Sequence, residues 1–315
     1  MQIHPELQSV KAHPLPSSRW KLAALQILLR LVNRMHRRRF KHVATKTSIR
    51  SFDGYPVPTM IIKPQQPQAS MPALVYFHGG AFVMEGAPAH FENAVRYAAE
   101  ASCTVVYVEY RLAPQNVFPK GFNDCYAALK WTIANAAALG IDATRIAVGG
   151  DSAGGCLAAG VAQRASQEER LEIKGQLLLY PAVDLLCSRP SMASFRDVPP
   201  FKDLSASLIA ELYLGQRAAK PLPLYSSPID GSVKDLAPAY IETPQFDPLH
   251  DQGLEYAHKL QEAGVPVELH DIAGAIHGFD VVAPKASLSL DAMQWRIQFL
   301  QKIFAAPQSQ QTRAA

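Results

Sequence analysis

The chain has 315 residues, 48% of them hydrophobic and 18% charged, with a formal net charge of +4. That is the make-up of a globular protein able to bury a sizeable core, and no apolar run reaches the roughly 18–20 residues needed to span a bilayer. The charge is uneven, since residues 1–52 carry eleven Lys/Arg against Glu6 alone, whereas residues 53–315 carry twenty Lys/Arg against twenty-six Asp/Glu.

The N-terminal stretch MQIHPELQSVKAHPLPSS holds a Glu and three prolines and has no apolar h-region, so it is not expected to be a secretory signal. Residues 19–39 place Leu22, Leu25, Leu29, Val32 and His36 on one helical stripe, with Leu28 and Met35 beside it. This predicts an amphipathic helix packed on the body, started by Ser17 or Ser18. Arg37–Arg39 would be solvated at its C-terminal end, where the helix dipole favours cations. A basic arm before an acidic body raises nucleic acid or an anionic membrane as partners. A packed helix with a solvated basic end argues against both.

Short apolar, β-branched runs then predict buried strands at 59–64, 72–80, 103–111, 145–152, 175–181, 238–243 and 265–272. Helical patterns at 88–101, 121–138, 153–169, 251–263 and 286–304 separate most of them. The alternation implies an α/β architecture, a mainly parallel sheet covered on both faces, with ligands beyond the C-terminal strand ends. Residues 186–224 break the rhythm, with a helical pattern at about 203–214 between Pro-rich stretches. They are expected to insert over the sheet edge and, with the N-terminal helix, to form a cap. Cys103, Cys125, Cys156 and Cys187 show neither CxxC spacing nor dense pairing, which points to reduced thiols and a cytoplasmic protein.

Chemistry concentrates at the strand ends. In AVGGDSAGGCLAAG (147–160) a strand runs into Gly149–Gly150, Ser152 follows, and a helical pattern begins at once. A strand–turn–helix this sharp strains its central residue and leaves no room for bulk at Gly150 and Gly154, which raises the serine hydroxyl as a nucleophile. The Gly-rich phosphate motifs, G-x-x-x-x-G-K-[ST] and G-x-G-x-x-G, are absent. YFHGGAF (76–82) is a second strand end, and the amides of Gly79, Gly80 and Ala153 are the expected donors to an oxyanion. Asp247 follows a strand in YIETPQFDPLH, and His277 lies past the last strand in VELHDIAGAIHGF. A serine needs a base within hydrogen-bond reach, and the base needs an orienting carboxylate. Asp251 falls at a helix start and His270 at a strand end. His78 is expected to brace its loop, and His250 and His258 to lie on the surface. No HExxH or Cys/His cluster offers a metal site.

Together, HGGAF (78–82), VEYRLAPQNVFPKGFNDC (108–125), GGDSAGG (149–155) and DPLHDQG through HGF (247–279) resemble the hormone-sensitive-lipase-like family of α/β-hydrolases. The resemblance spans roughly residues 60–300. It implies an α/β-hydrolase fold with a mainly parallel eight-stranded sheet and a helical cap. It also implies a cofactor-free, metal-free carboxylesterase acting on small esters, with Ser152 as nucleophile, His277 as acid and base, and Asp247 as orienter. Cap helices at 1–45, a catalytic domain at 46–305 with its cap insertion at about 186–224, and a disordered tail at 306–315 follow. Arg111 and the neighbouring prolines would shape a loop behind the site. The family usually has a third glycine where Ala81 stands; the added methyl puts bulky acyl or tertiary-alcohol substrates in doubt. The residues leave open an amidase or arylformamidase using the same triad, a non-catalytic receptor on the same fold, a membrane-attached protein using the basic helix, and a homodimer through the last strand and helix.

Overall fold

The computed structural model describes residues 2–14, 16, 18–202 and 204–305. Eight strands form one sheet: β1 (Ala44–Arg50), β2 (Pro56–Ile62), β3 (Met71–Phe77), β4 (Thr104–Val108), β5 (Ile141–Asp151), β6 (Gln176–Leu179), β7 (Ala239–Phe246) and β8 (Val267–Ile276). Their spatial order is β1-β2-β4-β3-β5-β6-β7-β8. Only β2 runs against its neighbours, β1 and β4; the other pairs are parallel.

Seven strands overlap the apolar runs of the sequence; the runs are clearest in β3 and β4, buried at every position, where a strand covered on both faces must be apolar throughout. The eighth, β1, has no such run. Its sequence ATKTSIR alternates at the sheet edge, with Lys46 and Arg50 exposed where charge discourages further pairing.

Alternate strand residues feed two cores. Ala73, Val75 and Phe77 pack with α3 (Lys120–Ala134), α4 (Ala153–Arg164) and α6 (His250–Glu262). Leu74 and Tyr76 face the opposite side, with α2 (Pro88–Glu100) and α7 (Ser287–Ala305). With α1 (Arg19–His36) ahead of the sheet and α5 (Ala206–Leu214) inside the irregular 186–224 segment, the seven longer helices are complete. That segment pairs with the N-terminal arm through a short parallel bridge, His13–Pro14 against Phe201–Lys202. The tail at 306–315 lies outside the described residues, as does Ser17.

The inward face of α1 differs from the expected stripe. Leu22 is buried, and Leu25, Leu29 and His36 are half-buried, but Val32, Leu28 and Met35 point to solvent. Two buried amides fix this orientation. Gln26 Nε2 donates to the Val83 and Ala113 carbonyls at 2.7 and 3.1 Å, and Asn33 Nδ2 donates to the Gly86 carbonyl at 2.6 Å. Ser18 is the N-cap but makes no side-chain capping bond.

Under the sheet's last strands lies a buried charge network. Arg296 on α7 is fully buried and reaches Glu242 on β7 at 2.8 and 2.6 Å and Asp280 at 2.6 Å. Asp280 also accepts from Tyr180 Oη at 2.6 Å and from Asn93 Nδ2 at 2.9 Å. Removing one member of such a cluster strands the others. Arg296→Ala is expected to lower stability by about 3–5 kcal/mol in urea unfolding; an unchanged midpoint would mean that both carboxylates lose nothing with their cation.

Candidate active site

Ser152 joins β5 to α4 with φ 53° and ψ −117°, outside the regions that L-residues favour. Its neighbours make that bend feasible. A side chain at Gly154 would overlap the Phe77 carbonyl, and one at Gly150 would meet the Phe77 oxygen at 2.5 Å. The bend is tied down by Ser152 N–H to the Leu179 carbonyl at 2.8 Å, and by the Ser152 carbonyl accepting from Ala182 and Cys156 at 3.0 and 3.1 Å.

The three residues singled out from sequence meet here. Ser152 Oγ lies 2.9 Å from His277 Nε2, and His277 Nδ1 lies 2.7 Å from Asp247 Oδ2. The other Asp247 oxygen accepts from the Leu249 amide at 2.7 Å. Asp247 is fully buried, so its carboxylate has the imidazole as its side-chain partner rather than water. The His277 ring is packed edge-on by Tyr180 and tilted against Phe201 of the 186–224 segment, each with centroids 5.0 Å away. An Nδ1–H bond to Asp247 leaves Nε2 free to accept the serine proton.

The glycine loop departs from the expectation at one position. The Gly79 amide is not available to an oxyanion, because it donates to Asp151 Oδ1 at 3.0 Å. The sequence-derived donor set of Gly79, Gly80 and Ala153 therefore loses its first member. The next residue along, Ala81, lines the cavity with Gly80 and Ala153, and among the described residues these three amides have no partner in the chain. Gly80, Ala81 and Phe82 all have positive φ, 128°, 52° and 63°. For Ala81 and Phe82 that backbone costs about 1–2 kcal/mol each. The Gly80 carbonyl, bonded by the amides of Val83 and Met84, and Phe82 stacked on Tyr213 at 3.9 Å hold the turn in place.

Asp151 is the residue that sequence reasoning passed over. Besides Gly79, it accepts from Tyr76 Oη at 2.8 Å and from His90 Nε2 at 2.9 Å. Burial works against its charge, but the facing His90 and the Tyr76 hydroxyl hold its carboxyl below the usual range. For His90, burial likewise opposes the charged form, and Asp151 more than offsets it, so the imidazole is shifted upward. His90 Nδ1 lies 2.8 Å from the Ala87 amide and 3.3 Å from its carbonyl, so Nε2 keeps its proton toward Asp151 in either charge state. Nothing in the spacing of the sequence ties His90, at the start of α2, to a serine sixty-two positions later.

The remaining candidates are structural. His78 Nδ1 bonds the Gly79 carbonyl at 2.7 Å, and the ring stacks on Tyr110 at 4.6 Å. Desolvation, only partly offset by that carbonyl, lowers His78 to about 4. Asp251 accepts from the Ser191 amide at 2.8 Å and does not reach His277; His250 bridges Asp251 and Asp271, and His270 stacks on Trp295. His258 is exposed. Arg111 clamps Asp124 and Asp53, which fixes the loop behind the site. Among the described residues all four cysteines are free and no cluster of His, Cys, Asp or Glu could hold a metal ion.

The serine opens into a cavity of about 260 Å³. Its floor is the glycine loop, the elbow and His277, and its walls come from Leu29 of α1 and from Met192, Phe201 and Ile209. The arrangement offers a hydroxyl with a base, and unpaired amides beside it, in a mostly apolar chamber.

A family model described as alpha/beta hydrolase fold matches residues 74–281. The chain is similar to the esterase LipI of Mycobacterium tuberculosis, 39% identical over 213 residues that cover 67% of each chain. It is also similar to the ethyl acetate hydrolase of Pseudomonas putida, 38% identical over 236 residues and 74% of each chain. The solved esterase LipW from Mycobacterium marinum superposes with a TM-score of 0.88 at 30% identity, covering 97% of both.

Burying neutral His78 makes the fold acid-sensitive in a defined window. Its ordinary value of 6.5 applies to the unfolded chain, which therefore takes the proton first as pH falls; the stability is complete above 6.5 and is lost as pH drops toward about 4. His78→Phe keeps a buried ring without a titrating nitrogen. Its urea-unfolding free energy is expected to fall by about 2–3 kcal/mol less than wild type between pH 7 and about pH 4.5. Parallel pH profiles would assign the acid sensitivity elsewhere.

Proposed function

We propose, for a chain that belongs to the α/β-hydrolase-fold family and is a carboxylesterase, that Ser152 is the nucleophile, His277 the general base and acid, and Asp247 the carboxylate that orients it. The observation that carries this reading is the 2.9 Å approach of Ser152 Oγ to His277 Nε2, with Asp247 at the far nitrogen. As Oγ bonds to the ester carbonyl carbon, its proton passes to Nε2 and the carbonyl electron pair moves onto oxygen. The amides of Gly80, Ala81 and Ala153 receive that oxyanion. Collapse expels the alcohol, protonated by His277, and leaves the acyl group on Ser152. Water then attacks the acyl-enzyme, giving its proton to the same imidazole, and the acid leaves as Oγ is reprotonated.

The substrate reading follows from space. A cavity of about 260 Å³ falls below the roughly 300–1,000 Å³ usual for drug-sized ligands, which favours short- to medium-chain esters. Residues 1–45 and the 186–224 segment act as the cap that sets this limit, since Leu29, Met192, Phe201 and Ile209 line the chamber.

Two outcomes are expected. Ser152→Ala should lower kcat on p-nitrophenyl butyrate by about 10⁴-fold or more and abolish labelling by a fluorophosphonate, at an unchanged unfolding midpoint; turnover near wild type would remove Ser152 from the mechanism. Ala81→Gly removes the methyl that the glycine loop carries beside the proposed oxyanion site. It should raise the ratio of kcat/KM for tert-butyl over ethyl acetate by about tenfold. An unmoved ratio would show that the methyl does not limit access to the carbonyl carbon.

A further inference from the structure

Contrary to the expectation from sequence, which set a membrane partner aside, we propose that the outer face of α1 docks this protein onto an anionic lipid surface. Among the described residues, eleven large hydrophobic side chains are exposed, and six of them are Trp20, Ile27, Leu28, Leu31, Val32 and Met35, all on α1. At 3.6 residues per turn they share the outward arc of that helix, opposite Leu22, Gln26 and Asn33. The exposure is deep: Trp20 is 70% and Met35 69% accessible. Scattered exposed leucines are ordinary, but a continuous stripe on one helix marks a contact surface.

Charge chooses the occupant. Three basic residues are paired with acids of the body, the exposed Arg30 with Glu85, Arg37 with Glu109, and His36 facing Glu92. Lys21, Arg34, Arg38 and Arg39 are exposed and, among the described residues, have no acidic partner. Apart from Glu6 the first 52 residues contain no acid at all. A second copy of the same face would bring these cations against one another, whereas anionic headgroups complement them. A nucleic acid would match the charge but would leave the indole and the other five apolar side chains in water. An apolar arc flanked by Lys and Arg, with a Trp at one end, suits a helix lying in the headgroup boundary. The inner side of the same helix contributes Leu29 to the active-site cavity, so docking would bring the chamber's roof against the bilayer that dissolves its esters.

The test is co-sedimentation of the full chain with vesicles of phosphatidylcholine alone or with about 30% phosphatidylglycerol. Binding is expected to the anionic vesicles and to weaken with salt. Leu28→Ser with Leu31→Ser should reduce it about a hundredfold, and Arg34→Gln with Arg38→Gln about thirtyfold. None of these side chains lines the cavity, so turnover of soluble p-nitrophenyl acetate should stay at the wild-type level and report an intact fold. The proposal is overturned if wild type does not bind phosphatidylglycerol vesicles, or if both double variants bind as well as wild type. It is equally overturned if light scattering shows a dimer that Leu28→Ser/Leu31→Ser dissolves, or if the face binds a DNA duplex and not the vesicles.

Discussion

The structure depends on a single backbone bend, at Ser152, whose φ of 53° no neighbouring element would adopt unaided. Strain of this kind costs on the order of 1–3 kcal/mol and persists only where its surroundings over-determine it. Here the surroundings do. The Ser152 amide donates to Leu179 at the end of β6, its carbonyl accepts from Ala182 just beyond, and the absence of side chains at Gly150 and Gly154 lets the Phe77 carbonyl close in from β3. β3, β5 and β6 thus hold the turn between them.

That one bend also builds the second half of the site. Asp151, one residue earlier, points to the opposite side of the turn, where it takes the Gly79 amide, the Tyr76 hydroxyl and His90. The glycine loop is therefore anchored to the elbow that carries the hydroxyl. Movement of either would change the distance between the proposed nucleophile and the unpaired amides of Gly80 and Ala81. A buried carboxylate costs dearly when unpaired, so the Asp151 pairing with His90 enforces the geometry as well as stabilising it. Behind His277 the Arg296 cluster works similarly, since Asp280 is bonded both to Arg296 on α7 and to Tyr180 packed on the imidazole.

How much of this was legible in the sequence follows from how local each signal is. Ser152, Asp247 and His277 stand at strand ends that the apolar runs mark, and the structure brings those three together. Strands buried on both faces announce themselves; β1, half-exposed at the sheet edge, does not. Gly79 drops out of the proposed donor set for a physical reason. Sequence shows that consecutive glycines can turn their amides toward an anion, but which amide is already spent on a side chain depends on Asp151, seventy-two positions away. His90 is invisible for the same reason, because its meaning comes from a contact across the sheet.

The orientation of α1 carries the most general lesson of the fold. Hydrophobic periodicity alone leaves two sides of this helix eligible to face inward, since leucines occur on both. An apolar side chain left in water loses transfer free energy that is graded and non-directional. An amide buried without a partner, in contrast, forfeits a hydrogen bond outright. Gln26 and Asn33 find their backbone carbonyls at Val83 and Gly86, in the segment after the glycine loop, and at Ala113. Those three bonds turn the polar residues inward and the greasier arc outward, the reverse of what amphipathicity alone dictates. A helix placed by its buried polar groups roofs the cavity with a single leucine, Leu29, and leaves its apolar arc exposed on the outside of the molecule.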